Sequence, residues 1–251
     1  MRNIVAILAL AVPLFGAGVQ AQTPSVPAPS QLTVEDIWKS PSLAGPTLSR
    51  SGKYLAATAP FKGRMNLLVM DMETRKGNLL TAFDDYDVVS VAWVGDDRLL
   101  FSLGQANSPT GAGQFDGGGL FVVGRDGTGA RRLAPTVRET RQRNQYVYRS
   151  LSLHRTIPGN TDEVIAEGNQ TSADSVDLYR LNLNTGRTTL LTSGRPSNLT
   201  VEWMLDSKLV PRVVVAGVKD ELTRVVYYRK GADSPWEEIA RYSRDKGAVF
   251  V

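Results

Sequence analysis

The chain has 251 residues, of which 42% are hydrophobic and 22% are charged, and its formal net charge is +4. This is the composition of an ordinary globular protein that is long enough to bury a sizeable core. It contains no cysteine, which excludes disulfides, thiolate nucleophiles and cysteine-ligated metals. Its lysines and arginines are scattered over turns, and this distribution disfavours a nucleic-acid partner.

Residues 1–21 have the pattern of a secretory signal peptide. Arg2 supplies a positive charge, an apolar run covers Ile4 to Phe15, and Val19-Gln20-Ala21 is a small-residue cleavage site. A membrane anchor is the competing interpretation, but the apolar run is too short and no basic stop follows it. We therefore expect a periplasmic or extracellular protein that has no membrane attachment after cleavage.

Two short segments precede the main part of the chain. Residues 22–31 are rich in Pro and Ser and predict an extended linker without a core of its own. In the next segment, Leu32 to Lys39, Thr33 is placed as an N-cap with Asp36 three residues later. This spacing is close to a capping box and predicts one short N-terminal helix.

A repeated pattern dominates residues 32–251. Leu67 to Thr81 has the pattern of a strand, a polar turn that contains glycine, and a second strand that ends in a polar residue. Leu120 to Pro135 and Leu178 to Ser193 repeat this scheme, and Val225 to Tyr242 is a weaker copy. An inner pair of strands precedes each copy, so the repeating unit is a four-stranded sheet.

The strands of this unit are apolar on both faces, since Leu68 and Met70 alternate with Leu67 and Val69. Such a sheet must be covered on both sides, as a propeller blade is by its neighbours. With a period of roughly 50 residues, the sequence predicts an all-β β-propeller of about four blades and the start of a fifth, which is an incomplete ring. A β-sandwich is the alternative. The predicted blades are residues 47–82, 88–135, 150–194 and 198–243.

Two further stretches lie between these strands. The segment from Gly104 to Gly119 is rich in glycine, but it lacks the GxxxxGK[ST] pattern of a phosphate-binding loop and a strand follows it. We interpret it as a loop that projects from a blade. The charged segment from Arg138 to Arg143 is interpreted as a solvated connection between blades.

The sequence offers little for catalysis or metal binding. His154 is the one histidine, so it cannot form a histidine metal cluster by itself, and no GxSxG elbow supplies the nucleophile of a Ser-His-Asp triad. The sequence also contains two groups of aspartates. The first, Asp84, Asp85 and Asp87, lacks the Gly and the distal Glu of an EF-hand loop. The second, Asp96 and Asp97, lies in a turn, where aspartate is common. We predict structural roles for them, with no catalytic, cofactor-binding or metal-binding residue.

Four segments, LSRSGKYLA, GRMNLLVMD, WVGDDRLLFSLG and GGGLFVVGRDG, resemble the N-terminal propeller of secreted prolyl oligopeptidase-family serine peptidases, which include dipeptidyl and acylaminoacyl peptidases. The usual form of the first segment is LSPDGKYLA, and here Arg50 and Ser51 replace the Pro and Asp. The resemblance covers roughly Leu32 to Val251. In that family the propeller precedes an α/β-hydrolase domain that carries the catalytic Ser, Asp and His, and it restricts access to peptides and small substrates.

The hydrolase domain of that family has no counterpart in this sequence, so the resemblance assigns no catalytic residue. It implies that the chain is a fragment, the non-catalytic, substrate-gating propeller portion of a serine peptidase, whose peptide substrate reaches a missing or separate hydrolase domain. The chain alone is then not expected to hydrolyse peptides, whereas the intact parent is. The alternative is a stand-alone periplasmic binding or scaffold propeller similar to those of the Tol system.

Overall fold

The computed structural model describes residue 33 and residues 41–105, 116–219 and 222–243. The predicted signal peptide, the linker and, apart from Thr33, the predicted N-terminal helix lie outside these residues. The described residues from Pro41 to Ser243 belong to one compact unit, and the description below concerns them.

Within the described residues, the strands form four antiparallel sheets of four strands each, and every sheet follows chain order from its first strand to its fourth. We call these sheets blades 1 to 4. Blade 1 contains β1 (Ala44–Leu48), β2 (Tyr54–Phe61), β3 (Arg64–Asp71) and β4 (Gly77–Leu79); blade 2 contains β5 (Asp87–Val94), β6 (Arg98–Gly104), β7 (Gly118–Gly124) and β8 (Arg131–Thr136). Blade 3 contains β9 (Leu151–Thr156), β10 (Glu163–Gly168), β11 (Asp177–Asn182) and β12 (Thr188–Leu190); blade 4 contains β13 (Thr200–Leu205), β14 (Pro211–Gly217), β15 (Thr223–Tyr228) and β16 (Glu237–Ser243).

Each blade packs against the next through an apolar core, and strand alternation decides which residue enters which core. Leu99 of β6 is fully buried against blade 1, whereas the adjacent Leu100 is buried in the core that blade 2 shares with blade 3. In β10, Val164 likewise faces blade 2 and Ile165 faces blade 4. Because neighbouring side chains point to opposite faces, one strand serves two interfaces. The fold is an incomplete all-β propeller, which confirms the predicted fold class and excludes the two-sheet sandwich.

Side chains that bind the backbone hold the turns between third and fourth strands. Asp71 Oδ1 accepts hydrogen bonds from the backbone N–H groups of Glu73 at 3.0 Å and Thr74 at 2.8 Å, and the bond from Thr74 is the largest of the causes that lower the Asp71 pKa. In blade 3, Asn182 Oδ1 accepts from the backbone N–H groups of Asn184 and Thr185. The two turns therefore use the same geometry with an acid in one and an amide in the other.

The connection between blades 2 and 3 contains a helix that the sequence analysis did not predict, α1 (Val137–Gln142). A capping box starts it, since the Thr136 hydroxyl accepts from the Glu139 backbone N–H and Glu139 Oε2 accepts from the Thr136 backbone N–H at 2.8 Å. The Arg138 guanidinium lies 4.5 Å above the Tyr86 ring and 2.7 Å from Asp85 Oδ2. The charged segment interpreted as a solvated connection is thus tied to the chain between blades 1 and 2.

Candidate functional site

The first strands of the four blades, β1, β5, β9 and β13, carry the features of a binding surface. They form one edge of every sheet, the edge that lines the centre of a propeller, and we call their combined surface the axial face. Large apolar side chains on it are exposed: Leu48 by 55%, Val89 by 49% and Val201 by 47%. Exposed apolar groups gathered on one surface mark a contact site better than single ones elsewhere do.

Every first strand also has a register shift against the second strand of its blade. The pairing skips between Ala44 and Thr47 in β1, at Val89 in β5, at His154 in β9 and at Val201 in β13. A bulge leaves one residue out of the ladder and redirects its side chain. The shifts therefore determine what the axial face presents, and Val89 and Val201 are two of its exposed apolar side chains.

A cavity of about 770 Å³ opens on this face between blades 1, 2 and 3. Its volume is within the range of about 300–1,000 Å³ that is typical of small-ligand sites. Apolar and polar groups share the lining: Thr47, Leu48, Arg50, Val91, Ala92, Trp93, Gly95, Asp96, Asp97, Thr156, Ile157, Pro158, Gly159, Asn160 and Thr161.

The two aspartates at this cavity already have partners from other blades or turns. Asp96 Oδ1 accepts from the Ser51 backbone N–H at 2.9 Å, and this bond is the largest of the causes that lower the Asp96 pKa. Asp97 Oδ1 lies 3.0 Å from Arg125 Nε. Asp96 therefore joins the turns of blades 1 and 2, and Asp97 is neutralised by a turn of its own blade.

The other group of aspartates lies at the opposite end of blade 2. Asp87 is 4% exposed and accepts from the Met65 backbone N–H at 2.8 Å, while Asp85 pairs with Arg138. The backbone oxygen of Asp84 accepts from Arg64 Nε at 3.4 Å. The structure does not bring these carboxylates together, and no group of three or more metal-ligating residues occurs in the described part of the chain.

His154 lies on the axial face at the register shift of β9. Its Nδ1 is 2.8 Å from Glu167 Oε2, and the two side chains are 17% and 38% exposed. In the described ranges no serine hydroxyl hydrogen bonds to this imidazole, so the pair contains the acid and base of a triad without its nucleophile.

The sequence analysis did not identify two buried polar residues, although each of them is followed by a threonine at the same spacing. Asn66 at the start of β3 binds Thr81, 15 residues later, and Asp177 at the start of β11 binds Thr192, also 15 residues later. Both Asn66 and Asp177 are completely buried. We call each pair a pin, because it ties the end of the fourth strand to the beginning of the third.

Solved structures are similar to this chain, but sequence comparisons find no match. No family model matches the sequence, and no curated protein is significantly similar to it. Across the described residues, none of the helices has the length and apolar character needed to cross a membrane.

Three solved structures illustrate what the chain is similar to. TolB from Acinetobacter baumannii is 11% identical with a TM-score of 0.45, over 79% of this chain and 43% of that one. An oligogalacturonate lyase in complex with manganese is 11% identical with a TM-score of 0.48, over 79% and 53%. A puromycin-hydrolyzing peptidase of Mycobacterium tuberculosis is 12% identical with a TM-score of 0.42, over 78% and 28%. The chain spans about half or less of the length of each.

Proposed function

We propose that this chain is the non-catalytic propeller portion of a prolyl oligopeptidase-like serine peptidase, and that its axial face admits and holds peptide substrate. The observation that carries the proposal is the cavity of about 770 Å³ bounded by the first strands and turns of three blades. The four sequence segments that resemble the propeller of that family support it. In this function the propeller selects substrates by size, and another domain performs the hydrolysis.

The chemistry of the axial face suits an extended peptide. Leu48 and Val89 offer apolar contacts, while the exposed Arg50 and the carbonyl and amide groups of the lining turns offer polar ones. A peptide presents the same mixture of apolar side chains and backbone hydrogen-bonding groups. A cavity of this volume accommodates a few residues of an extended chain and excludes a folded domain.

Binding of labelled peptides tests this function. We expect eight-residue fluorescent peptides with apolar side chains to bind the chain saturably in fluorescence anisotropy. Leu48→Asp places a charge at an exposed apolar side chain of the cavity lining and should weaken binding at least about tenfold. The matched control is Ile239→Asp, which changes a side chain that is 53% exposed on the outermost strand β16. No saturable binding, or equal loss in both variants, would refute the proposal.

A hydrolysis assay addresses the non-catalytic part of the proposal. Because the single histidine pairs with Glu167 and no serine hydroxyl bonds to it in the described residues, we expect the chain alone to cleave no aminoacyl or peptidyl chromogenic substrate. Turnover that a serine-directed inhibitor abolishes would show that the chain carries its own nucleophile and would overturn this part.

The alternative is a stand-alone binding or scaffold propeller with a protein partner. Val201 favours it, because this apolar side chain is 47% exposed on the first strand of blade 4 and does not line the cavity. A protein segment that covers both areas buries more apolar surface than a short peptide does. The alternative is preferred if a folded partner binds the axial face and the free peptides do not.

A further inference from the structure

A second cavity, of about 580 Å³, lies where the turns of blade 2 approach blade 3, and we call it the interblade cavity. Its volume is also within the range of about 300–1,000 Å³ that is typical of small-ligand sites. Val122 of β7 and Leu183, which follows β11, contribute apolar groups to the lining. Both belong to the core shared by blades 2 and 3, so the cavity borders that core.

Three arginines of blade 2 line this cavity as well: Arg98 at the start of β6, Arg125 after β7 and Arg131 at the start of β8. Arg131 pairs with Val122 across two strands, and residues paired in this way share a face of the sheet. Arg98 precedes Leu100 by two positions, and Leu100 faces blade 3, so alternation places Arg98 on the same side. The register of blade 2 therefore directs these two arginines toward blade 3.

The two carboxylates of the lining already have partners. Asp97 Oδ1 lies 3.0 Å from Arg125 Nε. Asp126 Oδ1 accepts from the Thr128 backbone N–H at 2.9 Å and from the Thr128 hydroxyl at 2.7 Å. Neither acid pairs with Arg131.

The arginines, in contrast, keep unused donors. In the part of the chain that the structure describes, the exposed Arg131 side chain makes no hydrogen bond or ion pair. Arg98 pairs with Asp162 through Nη2 at 3.3 Å, and Arg125 uses Nε for Asp97. Because a guanidinium carries five N–H donors in a planar fork, one cation without a partner lies at this cavity with two others that still have N–H groups to donate.

We propose that the interblade cavity binds a small organic anion. Its oxyanion head, a carboxylate or a phosphate, pairs with Arg131 and the neighbouring guanidiniums, since the planar fork of arginine matches both groups. Its organic part lies against Val122 and Leu183. Asp97 lines both this cavity and the one on the axial face, but the proposal does not depend on peptide binding at the axial face.

Titration of the purified chain with three fluorescent naphthalene compounds tests the proposal. Naphthoate and naphthyl phosphate carry the two possible heads, and naphthamide is the neutral analogue of the same shape. We expect saturable binding of one anion per chain, with naphthamide at least about tenfold weaker because it cannot form charge-assisted hydrogen bonds. The anion that binds more tightly identifies the preferred head.

Substitutions on both sides of the cavity locate the site. Arg131→Met keeps an apolar stem without the charge and should weaken anion binding at least about tenfold, whereas Lys208→Met, in an exposed turn of blade 4, should not change it. Asn184→Asp adds a negative charge to the lining from blade 3 and should also weaken binding, and Asn78→Asp on β4 is its control. Thermal unfolding checks that the variants remain folded.

Leu48→Asp separates this site from the axial face. It should leave anion binding unchanged, even though it is expected to impair peptide binding. No saturable binding of either anion, equal affinity for naphthamide, or equal losses in the variants and their controls would overturn the proposal. Loss of anion binding in Leu48→Asp with full binding in Arg131→Met would also overturn it, because the anion would then lie on the axial face.

Discussion

Blades 1 and 3 both tie the end of the fourth strand to the beginning of the third through a pin, but the buried side chain is an amide in blade 1 and a carboxylate in blade 3. In blade 1, Asn66 Nδ2 donates to the Phe83 carbonyl at 3.0 Å, and its Oδ1 accepts from Thr81 Oγ1 at 2.9 Å. In blade 3, Asp177 Oδ1 accepts from Thr192 Oγ1 at 2.8 Å, and its Oδ2 pairs with Arg195. Both threonine hydroxyls also accept from the backbone of the third strand.

The difference shows what a buried carboxylate requires that an amide does not. An amide carries both donors and acceptors, so Asn66 satisfies its surroundings without a charge. Asp177 only accepts, and its side chain is 0% exposed, so it needs the guanidinium of Arg195, itself 15% exposed. That arrangement is incomplete within the described residues, because Arg195 Nε is buried without a hydrogen-bond partner. We therefore expect that loss of a hydrogen-bond partner destabilises the fold more at the Asp177 pin than at the Asn66 pin.

The largest effect is expected from Asn66→Asp, which gives blade 1 the carboxylate of blade 3 without its cation. The third residue after the pin threonine is Arg195 in blade 3 but Asp84 in blade 1. An unpaired buried charge should lower the free energy of unfolding by about 4 kcal/mol, measured by urea denaturation. The control Asn78→Asp, at an exposed position of β4, should change it by less than about 0.5 kcal/mol. Equal effects of the two would contradict this account.

Arg195→Met should have the next largest effect, because it leaves the Asp177 charge buried with only the hydroxyls of Thr171 and Thr192. We expect a loss of about 3 kcal/mol that changes little between low and high salt, since buried pairs are weakly screened. The exposed Arg187→Met in the same blade is the matched control. A loss that disappears in high salt would mean that the pair behaves as a surface ion pair.

Substitution of the two pin threonines compares the amide acceptor of Asn66 with the carboxylate acceptor of Asp177. Thr192→Val removes a hydrogen bond to a carboxylate and should cost about 2 kcal/mol, whereas Thr81→Val removes one to a neutral amide and should cost about 1 kcal/mol. Thr189→Val, at an exposed position of β12, controls for the change of side chain. Thermal and urea unfolding of the three variants would give this order, and a larger cost at Thr81 would reverse our interpretation.

The smallest effect is expected when blade 3 is given the neutral chemistry of blade 1. The double variant Asp177→Asn with Arg195→Met removes both charges together, and replacing a buried ion pair by neutral groups is often close to neutral. We expect a change of less than about 1 kcal/mol in the free energy of unfolding. A loss as large as that of Arg195→Met alone would mean that the arginine contributes by packing instead of by neutralising Asp177.

The candidate binding surface was less predictable from the sequence than the fold was. Val89 and Val201 have the pattern of ordinary strand residues, and their exposure on the axial face follows from the register shifts of the first strands. A register shift depends on how two strands pair, so neither strand alone specifies it. The pins were closer to prediction, because the spacing of 15 residues recurs in the chain.

The sequence by itself determined the repeating sheet, because turn chemistry and alternation of apolar residues act over a few neighbouring positions. It also determined that both faces of each sheet must be covered. Only the tertiary structure decided that Leu99 and Leu100 serve different interfaces, that Arg195 reaches back 18 residues to Asp177, and that three arginines line the interblade cavity. Alternation assigns a side chain to a face, whereas the packing of whole blades decides what lies against that face.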